Sequence, residues 1–249
     1  MNNIMDLSGK KVIVFGASQG IGRQTAVIFS QLGARLVLVS RRKEKLEETL
    51  SMLYGKGHTF YTYDLENTEG IESMLTEITK NGEKFQGLVY SVGVAPTRPY
   101  KNNTPDVMKN IMNINFFSFY EVVRQFAKKS FSDDGARIVA VSSAASVRPG
   151  KGQAAYAASK AALDASILVY AQELMKRRIG INCIRPGWVL TPMTSDYSVD
   201  NPKYNLEMQP MGIIGAEDVG NLAAYLMSDS AKMITGRFFE IDGGRLSRE

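Results

Sequence analysis

The sequence predicts an α/β fold built on a doubly wound parallel sheet of seven strands, flanked by helices on both faces. Short runs such as VIVF, LVLV and IVAV are apolar at consecutive positions, as expected of strands that are covered on both faces. Segments with helical periodicity lie between these runs, and the alternation of strand and helix is repeated six times. Right-handed crossovers then place the strands in one parallel sheet.

The individual elements follow from this alternation. Short apolar runs predict strands at Lys11–Phe15, Arg35–Val39, His58–Tyr61, Gly87–Tyr90, Arg137–Val141, Gly180–Ile184 and Arg237–Ile241. Helical periodicity predicts helices at Gly20–Leu32, Lys43–Leu53, Thr68–Thr79, Pro105–Lys129, Gln153–Arg177 and Glu217–Ser228. Proline is favoured in a first turn, which supports a helix start at Pro105. No linker or repeat interrupts the sequence, so we expect one domain over residues 1–249.

The composition excludes several kinds of site. Hydrophobic residues make up 44% and charged residues 22%, which is typical of a soluble globular protein. The single cysteine, Cys183, excludes an internal disulfide and a thiolate-rich metal site. The single histidine, His58, excludes a histidine-cluster metal site, and a packing role is the ordinary interpretation of both residues. We therefore expect no metal, and proton transfer has to come from tyrosine, lysine or a carboxylate.

The charge and the N-terminus bear on partners and location. The net charge is +5, but the densest basic cluster, at residues 41–45, runs directly into acidic residues. That pattern favours a solvated helix start or a phosphate site over a nucleic-acid surface. Residues 1–10 have no apolar core of a signal peptide, and no window reaches the roughly 18 apolar residues that span a bilayer. We expect a cytoplasmic protein that binds neither membrane nor nucleic acid.

A glycine-rich loop follows the first predicted strand. Its sequence is Gly16-Ala17-Ser18-Gln19-Gly20-Ile21-Gly22, and a helical pattern begins within it. Three glycines at a strand–helix junction allow a tight turn and a close approach of the backbone to a pyrophosphate, which the helix N-terminus stabilises. The loop predicts a Rossmann-like dinucleotide site.

The end of the second strand bears on the choice of cofactor. Enzymes that use NAD place a carboxylate there, whereas this chain has Ser40, Arg41 and Arg42 and no acid before Glu44. Serine can donate a hydrogen bond to a 2′-phosphate, and arginine can pair with it. The sequence therefore favours NADP(H) over NAD(H). The alternative is that both arginines are only solvated at the start of a helix.

Two residues with acid–base chemistry are spaced for one helix face. Tyr156 and Lys160 are four apart in the predicted helix Gln153–Arg177. The pKa of tyrosine is ordinarily about 10, and a neighbouring ammonium favours the phenolate. Tyr156 can then exchange a proton with a carbonyl or an alcohol, with Lys160 as its tuning group. The strand that ends at Val141 is followed by Ser142 and Ser143, where a hydroxyl can stabilise a developing oxyanion.

These motifs together resemble the short-chain dehydrogenase/reductase family, of the 3-oxoacyl-carrier-protein reductase and general carbonyl reductase type. The resemblance covers nearly the whole chain. Its markers, in order, are the Gly16–Gly22 loop, Asp64, Gly93, Asn115, Ser143, Tyr156, Lys160, Pro186-Gly187, Thr191 and Ile241-Asp242-Gly243-Gly244.

The resemblance implies a role for each matching residue. Tyr156 is implied as the acid–base group, Ser143 as the substrate-orienting donor, Lys160 as the tuning and ribose-binding residue, and Asn115 as support for a proton-relay water. The implied cofactor contacts are made by Gly16, Ser18, Gln19, Gly20, Ile21, Gly22, Ser40, Arg41, Arg42, Asp64, Leu65, Ser91, Val92, Gly93, Tyr156, Lys160, Pro186, Gly187, Val189 and Thr191.

The chain departs from the family pattern at three places. Phe15 stands where a threonine is usual, and Tyr90-Ser91-Val92-Gly93 stands where the family has Asn-Asn-Ala-Gly. In the family these two segments resemble a matched, hydrogen-bonded pair, so we expect apolar packing to replace that bond here. Gln19 stands where many NADP-preferring relatives carry arginine, which weakens the argument for NADP(H).

The substrate side and the assembly are less defined. A long, weakly periodic stretch over residues 192–214 resembles the family's substrate lid, although a partly ordered surface loop is the alternative. It holds no arginine and only Lys203, so no anion-binding cluster is visible within it. The helices predicted at 105–129 and 153–177 carry surplus apolar residues, and the resemblance implies a homodimer or homotetramer through them.

Three functions are compatible with these residues. The first is reversible hydride transfer between NADP(H) and a ketone/secondary alcohol pair, with a 3-oxoacyl thioester or related carbonyl as substrate. The second is an NAD-dependent dehydrogenase of a sugar, steroid or polyol. The third is a non-catalytic nucleotide-sensing protein, which has no need of Tyr156, Lys160 or Ser143.

Overall fold

Seven parallel strands form one sheet in the computed structural model, which describes residues 3–194 and 209–245. Their order is β3-β2-β1-β4-β5-β6-β7, and every neighbouring pair is parallel. The strands are β1 (Lys11–Phe15), β2 (Arg35–Ser40), β3 (Thr59–Thr62), β4 (Phe85–Tyr90), β5 (Ser132–Val141), β6 (Gly180–Pro186) and β7 (Phe238–Ile241). The predicted doubly wound, Rossmann-like class is confirmed.

Helices lie between the strands along the described chain. They are α1 (Gly20–Gln31), α2 (Lys43–Ser51), α3 (Ile71–Ile78), α4 (Pro105–Met112), α5 (Ser118–Phe126), α6 (Ala154–Glu173) and α7 (Ala216–Met227). The predicted continuous helix Pro105–Lys129 was wrong, because a π-helical turn, Asn113–Phe117, separates α4 from α5. The wider turn inserts a residue into the helical ladder.

Two further boundaries differ from the prediction by four or more residues. β5 begins at Ser132, five residues before the expected start, and its pairing with β4 shifts between Phe85 and Gly87. The first residues of β5, from Ser132 to Gly135, are polar or glycine. A search for apolar positions therefore does not detect them as part of a strand. The predicted helix Gln153–Arg177 is α-helical only to Glu173 and then tightens into a 3₁₀ turn.

The core consists of two layers, one on each face of the sheet. Phe85, Phe119 and Phe126 pack on the face covered by α3, α5 and α6. Phe29 and Leu36 pack on the face covered by α1 and α7. All five residues of β1 are buried, because both layers cover this central strand.

The parallel arrangement gathers the ends of the strands at one edge of the sheet. The Gly16 loop follows β1, Ser91 follows β4 and Ser142 follows β5. The strand order reverses between β1 and β4, and ligands of open α/β sheets bind at such a switch point. Of the predicted lid, residues 195–208 lie outside the described residues. No helix in the described ranges is long and apolar enough to cross a membrane.

Candidate active site

The glycine-rich loop adopts a conformation that side chains would obstruct. Gly16 has φ +83°, and a Cβ there would lie 2.6 Å from the carbonyl oxygen of Ser91 on the neighbouring strand. Gly20 also has positive φ, at +56°, and a Cβ at Gly22 would meet the carbonyl oxygen of Gly16. No side chain caps the N-terminus of α1, so its backbone N–H groups are available to an anion.

A cavity of about 240 Å³ lies over this loop. Most of the predicted cofactor residues line it: Gly16, Ser18, Gln19, Gly20, Ile21, Ser40, Arg41, Arg42, Asp64, Leu65, Ser91, Val92, Gly93 and Thr191. Sequence reasoning missed Val39, Tyr63, Glu66, Val94, Ile114, Pro192 and Met193. These residues lie within a few places of recognised motif positions, and spacing alone does not show which of them face the cavity.

The remaining predicted cofactor residues do not line this cavity: they are Gly22, Tyr156, Lys160, Pro186, Gly187 and Val189. Gly22 packs against the loop itself, because its Cα closely approaches the Gly16 carbonyl. Gly187 donates its N–H to Ile241 at 2.7 Å, and Val189 is buried in a bridge with Ile214. Pro186 ends β6. Thr191 is therefore the one member of the predicted nicotinamide seat that lines this cavity.

Serine and arginine side chains define the rim where the second strand ends. Ser40 Oγ donates to Ser18 Oγ at 2.9 Å, which joins the end of β2 to the glycine loop. Arg42 Nη2 donates to Gln19 Oε1 at 2.6 Å. Arg41 Nη1 lies 3.3 Å from Glu66 Oε1, and the Arg41 side chain is 59% exposed. Both arginines thus line the cavity with defined partners.

Lys160 is buried where α6 meets the ends of β4 and β5. Its Nζ donates to the carbonyl oxygen of Val141 at 3.0 Å and to that of Val92 at 3.5 Å. Burial lowers the pKa of Lys160 to about 8, while the nearby Cys183 and Asp164 act in the opposite direction. The ammonium is therefore held by backbone dipoles at the floor of the site.

Tyr156 and Ser143 meet on the other side of this helix turn. Burial raises the pKa of Tyr156, and a hydrogen bond with Ser143 opposes that rise. Ser143 has an extended backbone, and its Oγ accepts the Ala145 N–H at 3.1 Å. The expected lowering of the phenol pKa by Lys160 stays a prediction. The phenol is held in its protonated form, which can donate a proton.

Asn115 connects the π-helical turn to the tyrosine helix. It is fully buried, and its Nδ2 donates to Ser159 Oγ at 2.9 Å. Ser159 Oγ in turn donates to the carbonyl oxygen of Tyr156 at 2.7 Å. A Cβ on Gly93 would lie 3.3 Å from both Asn115 Oδ1 and Lys160 Nζ. Asn115 and Lys160 thus lie beside Gly93, which lines the cavity. Asn115 is connected through Ser159 to the backbone of Tyr156, and the Tyr156 side chain hydrogen-bonds with Ser143.

Two positioning residues were missed by sequence reasoning. Ser159 lies three residues after Tyr156 in a run of small residues, and only its hydroxyl signals a role. Gln209 is fully buried, and its Nε2 donates to the carbonyl oxygens of Trp188 at 3.1 Å and Gly212 at 3.2 Å. Gln209 therefore holds the segment that follows β6 in place. A single glutamine in an irregular stretch has no sequence pattern that would have predicted this role.

Comparisons with known proteins agree with this geometry. A family model described as enoyl-(acyl carrier protein) reductase matches residues 16–245. The chain is 28% identical to the 3-oxoacyl-(acyl-carrier-protein) reductase FabG of Rickettsia felis over 244 residues, 98% of this chain and 99% of the relative.

Solved structures give the same result. A protein of Sinorhizobium meliloti assigned as a short-chain alcohol dehydrogenase has a TM-score of 0.91 at 28% identity, covering 98% of this chain and 99% of that chain. A protein of Beutenbergia cavernae assigned as an NAD(P)-dependent gluconate 5-dehydrogenase, with bound NADP, has a TM-score of 0.89 at 28% identity, covering 98% and 100%. This chain is an oxidoreductase that belongs to the short-chain dehydrogenase/reductase family.

Proposed function

We propose that this protein is an NADP(H)-dependent reductase of ketones that also oxidises the corresponding secondary alcohols, with a 3-oxoacyl thioester or related carbonyl as its substrate. The observation that carries the proposal is that Asn115 and Lys160 lie beside Gly93 of the cavity, while Tyr156, one helical turn before Lys160, hydrogen-bonds with Ser143. Tyr156 and Ser143 would then supply the proton and the hydrogen bond that carbonyl reduction requires.

The cavity fits a dinucleotide by its backbone. A Cβ at Gly16 would collide with Ser91, so the loop is open to the close approach of a pyrophosphate, and the uncapped N-terminus of α1 adds donors. A bound NADP(H) supplies or accepts the hydride. Ser18, Gln19 and the arginines at the rim would hold its adenosine phosphate, and Thr191 and Lys160 its nicotinamide half.

The side chains supply the proton chemistry. In the reductive direction the Tyr156 phenol donates its proton to the carbonyl oxygen as the carbonyl carbon receives the hydride. Ser143 donates a hydrogen bond to the same oxygen and stabilises its developing charge. Lys160, whose Nζ is fixed by the Val141 and Val92 carbonyls, would supply the positive charge that stabilises the phenolate that remains. In the oxidative direction the same transfers run backwards.

The choice of NADP(H) rests on the rim of the cavity. Ser40, Arg41 and Arg42 line it, and no carboxylate follows β2 before Glu44. A guanidinium pairs well with a 2′-phosphate, whereas a carboxylate repels it. The NADP bound to the Beutenbergia cavernae protein is consistent with this choice.

A sugar-acid dehydrogenase is the second candidate. The Beutenbergia cavernae protein, assigned to gluconate, matches this chain over 98% of its length. The discriminating measurement is turnover of acetoacetyl thioesters against gluconate-type alcohols, each with NADPH/NADP and NADH/NAD. Faster oxidation of the polyol with NAD would favour the second candidate.

The test of the mechanism is Tyr156→Phe. We expect this variant still to bind NADPH but to lose at least about 1,000-fold in ketone reduction, because the proton donor is gone. Tyr170→Phe is the matched control, since Tyr170 lies on the same helix and its hydroxyl only donates to the Tyr120 carbonyl at 3.3 Å. Turnover by Tyr156→Phe close to that of the control would refute the assignment.

Exposed apolar residues on α5, on α6 and on the π-helical turn before α5 support self-association. Tyr120 and Leu168 are 46% and 48% exposed, and Phe117 and Val169 are each 50% exposed. Apolar surface of this kind on adjacent helices commonly marks an interface. We propose a homodimer or homotetramer through these helices, and a monomer in light scattering at micromolar concentration would contradict it.

A further inference from the structure

A second cavity, of about 310 Å³, adjoins the cofactor cavity. Its wall is formed by Val94, Ala95, Pro96, Arg98, Val107, Asn110, Ile111 and Ile114. Val94 and Ile114 also line the cofactor cavity, so the two spaces meet at these side chains. Asn115 holds Val94 and is linked through Ser159 to the Tyr156 turn, which places the opening beside the proposed catalytic cluster.

The lining is apolar except for Arg98 and Asn110. Arg98 is exposed, and its guanidinium has no ion-pair or hydrogen-bond partner in residues 3–194 and 209–245. By contrast, Arg41 at the cofactor rim is paired with Glu66. An anion that reaches Arg98 therefore does not have to displace a carboxylate of residues 3–194 or 209–245.

The backbone of Arg98 is fixed by the neighbouring loop. Its N–H donates to the carbonyl oxygen of Gly152 at 2.9 Å, and its carbonyl accepts from Asn103 Nδ2 at 3.3 Å. Gly152 has φ +80°, and a Cβ there would lie 2.8 Å from Thr97 Cγ2. The loop after β4 and the loop after β5 are thus joined where they border the cavity.

The two loops that meet at Arg98 carry positive charge only. Residues 91–104 and 142–153 contain Arg98, Lys101, Arg148 and Lys151 and no aspartate or glutamate. Lys101 and Lys151 form no ion pair with any residue of the described ranges. Arg98 is the charged residue that lines the cavity, and the like charges on these loops favour the approach of an anionic ligand.

We propose that the second cavity is a substrate subsite for a carbonyl compound that carries an apolar segment and a terminal anionic group. The apolar segment packs against Val94, Val107 and Ile111, and the anion, a carboxylate or a phosphate, binds Arg98. The inference rests on the proposed ketone reduction, because that reaction places the carbonyl at Tyr156. It locates anion binding outside the 192–214 segment, where the sequence shows no arginine.

The test compares charged and neutral members of matched substrate pairs. One arm uses 4-oxopentanoate, 5-oxohexanoate and 6-oxoheptanoate against their methyl esters, and the other uses acetoacetyl-4′-phosphopantetheine against acetoacetyl-pantetheine. We expect the wild type to show a KM about tenfold lower for the anion of the preferred pair. Arg98→Gln should raise that KM about tenfold, with kcat and the neutral substrate little changed. The arm that responds identifies the carboxylate or the phosphate as the source of the anion.

Arg237→Gln is the matched control. Arg237 is an exposed arginine immediately before β7, at the opposite edge of the sheet, so its replacement removes the same charge away from the cavity. Equal increases in the KM of the anionic substrate for the two variants would show that the protein attracts anions only through its general charge. That result would overturn the subsite. Preference of the wild type for the neutral members would overturn it as well.

Thermal unfolding with the same compounds separates this inference from the proposed function. If the wild type reduces neutral ketones but the anions neither bind better nor depend on Arg98, the subsite is wrong and the reductase stands. If no ketone is reduced with either cofactor, the reductase is wrong. In that case an anion that raises the Tm of the wild type but not of Arg98→Gln still supports the subsite, and equal shifts refute it.

Discussion

Asn115 holds Val94 by both of its backbone groups: Asn115 Oδ1 accepts the Val94 N–H at 2.8 Å, and Asn115 Nδ2 donates to the Val94 carbonyl oxygen at 3.0 Å. The side-chain amide thereby substitutes for a strand partner at the point where β4 has ended. Because Val94 forms part of both cavities, this pairing fixes the wall between the cofactor and the proposed substrate subsite.

Asn115→Ala should lower both stability and activity. The substitution leaves the half-buried backbone groups of Val94 and the buried Ser159 hydroxyl without their partner, so we expect the free energy of unfolding to fall by about 3 kcal/mol. Urea titration measures that loss. Asn113→Ala is the control, since Asn113 lies in the same turn and makes one hydrogen bond, to the Glu66 carbonyl at 3.2 Å. Equal losses for the two variants would contradict the role assigned to Asn115.

Glu66→Gln should strengthen the binding of NADPH. The Glu66 carboxylate pairs with Arg41 at 3.3 Å and lines the same cavity, so it competes with a 2′-phosphate for the guanidinium and repels it. Exposed ion pairs are weak, and we expect about a threefold decrease in the Kd of NADPH with no change for NADH. Fluorescence titration of both cofactors tests this. An equal decrease in the Kd of NADH would show that Glu66 acts on a part of the molecule that NADPH and NADH share, and not on the 2′-phosphate.

Sequence patterns predicted the elements because local periodicity reports burial directly. All seven strands were found, since each contains a short run of apolar residues between two layers. The π-helical turn was missed for the converse reason. The run around Asn115 has helical periodicity on both sides, and the extra residue is stabilised by hydrogen bonds to Val94 and Ser159, which lie 21 and 44 residues away.

The site residues also divide into those that local sequence patterns predict and those that depend on contacts between distant residues. Tyr156 and Lys160 were predicted together because their spacing on one helix is a local property. The pairing of Arg41 with Glu66 and the bracing of Trp188 by Gln209 join residues 25 and 21 apart in irregular segments. No periodicity records such contacts. The physical state of Tyr156 was also beyond the sequence, because burial raises its pKa and burial depends on the packed loops.

Ketone reduction should decline at alkaline pH through Lys160. Burial lowers the pKa of Lys160 to about 8, so its positive charge is present below that pH and is lost above it. The pKa of Tyr156 is raised, so the phenol keeps its proton over the same range and cannot cause the decline. We expect kcat/KM to be level below about pH 7 and to fall about tenfold per unit above about pH 8.

The pH profile needs a control for cofactor affinity. Measuring kcat/KM with NADPH at saturating concentration, alongside its Kd at each pH, separates loss of proton chemistry from loss of binding. A rate that stays level to pH 9.5 would exclude Lys160 as the titrating group. A decline that follows the Kd of NADPH alone would assign Lys160 to ribose binding and not to the tuning of Tyr156.

Phe15 and Tyr90, which depart from the family pattern, pack against each other on neighbouring strands. The two residues are register partners on β1 and β4, and their ring centroids lie 6.1 Å apart. Both are fully buried, and the Tyr90 hydroxyl hydrogen-bonds with Ser118 Oγ at 2.5 Å. The contact shows the expected packing of the two side chains. That this packing replaces a hydrogen bond found in the family stays a prediction.

Restoring the family residues one at a time should therefore be costly. Phe15→Thr removes most of a buried ring, and we expect the free energy of unfolding to fall by about 3 kcal/mol. Tyr90→Asn should cost a similar amount, because the ring and its bond to Ser118 are both lost. In the double variant the new threonine and asparagine regain a cross-strand hydrogen bond, so its loss should be about 1 kcal/mol smaller than the sum of the single losses. Urea titration of all four proteins gives the coupling, and strict additivity would show that the two positions act independently.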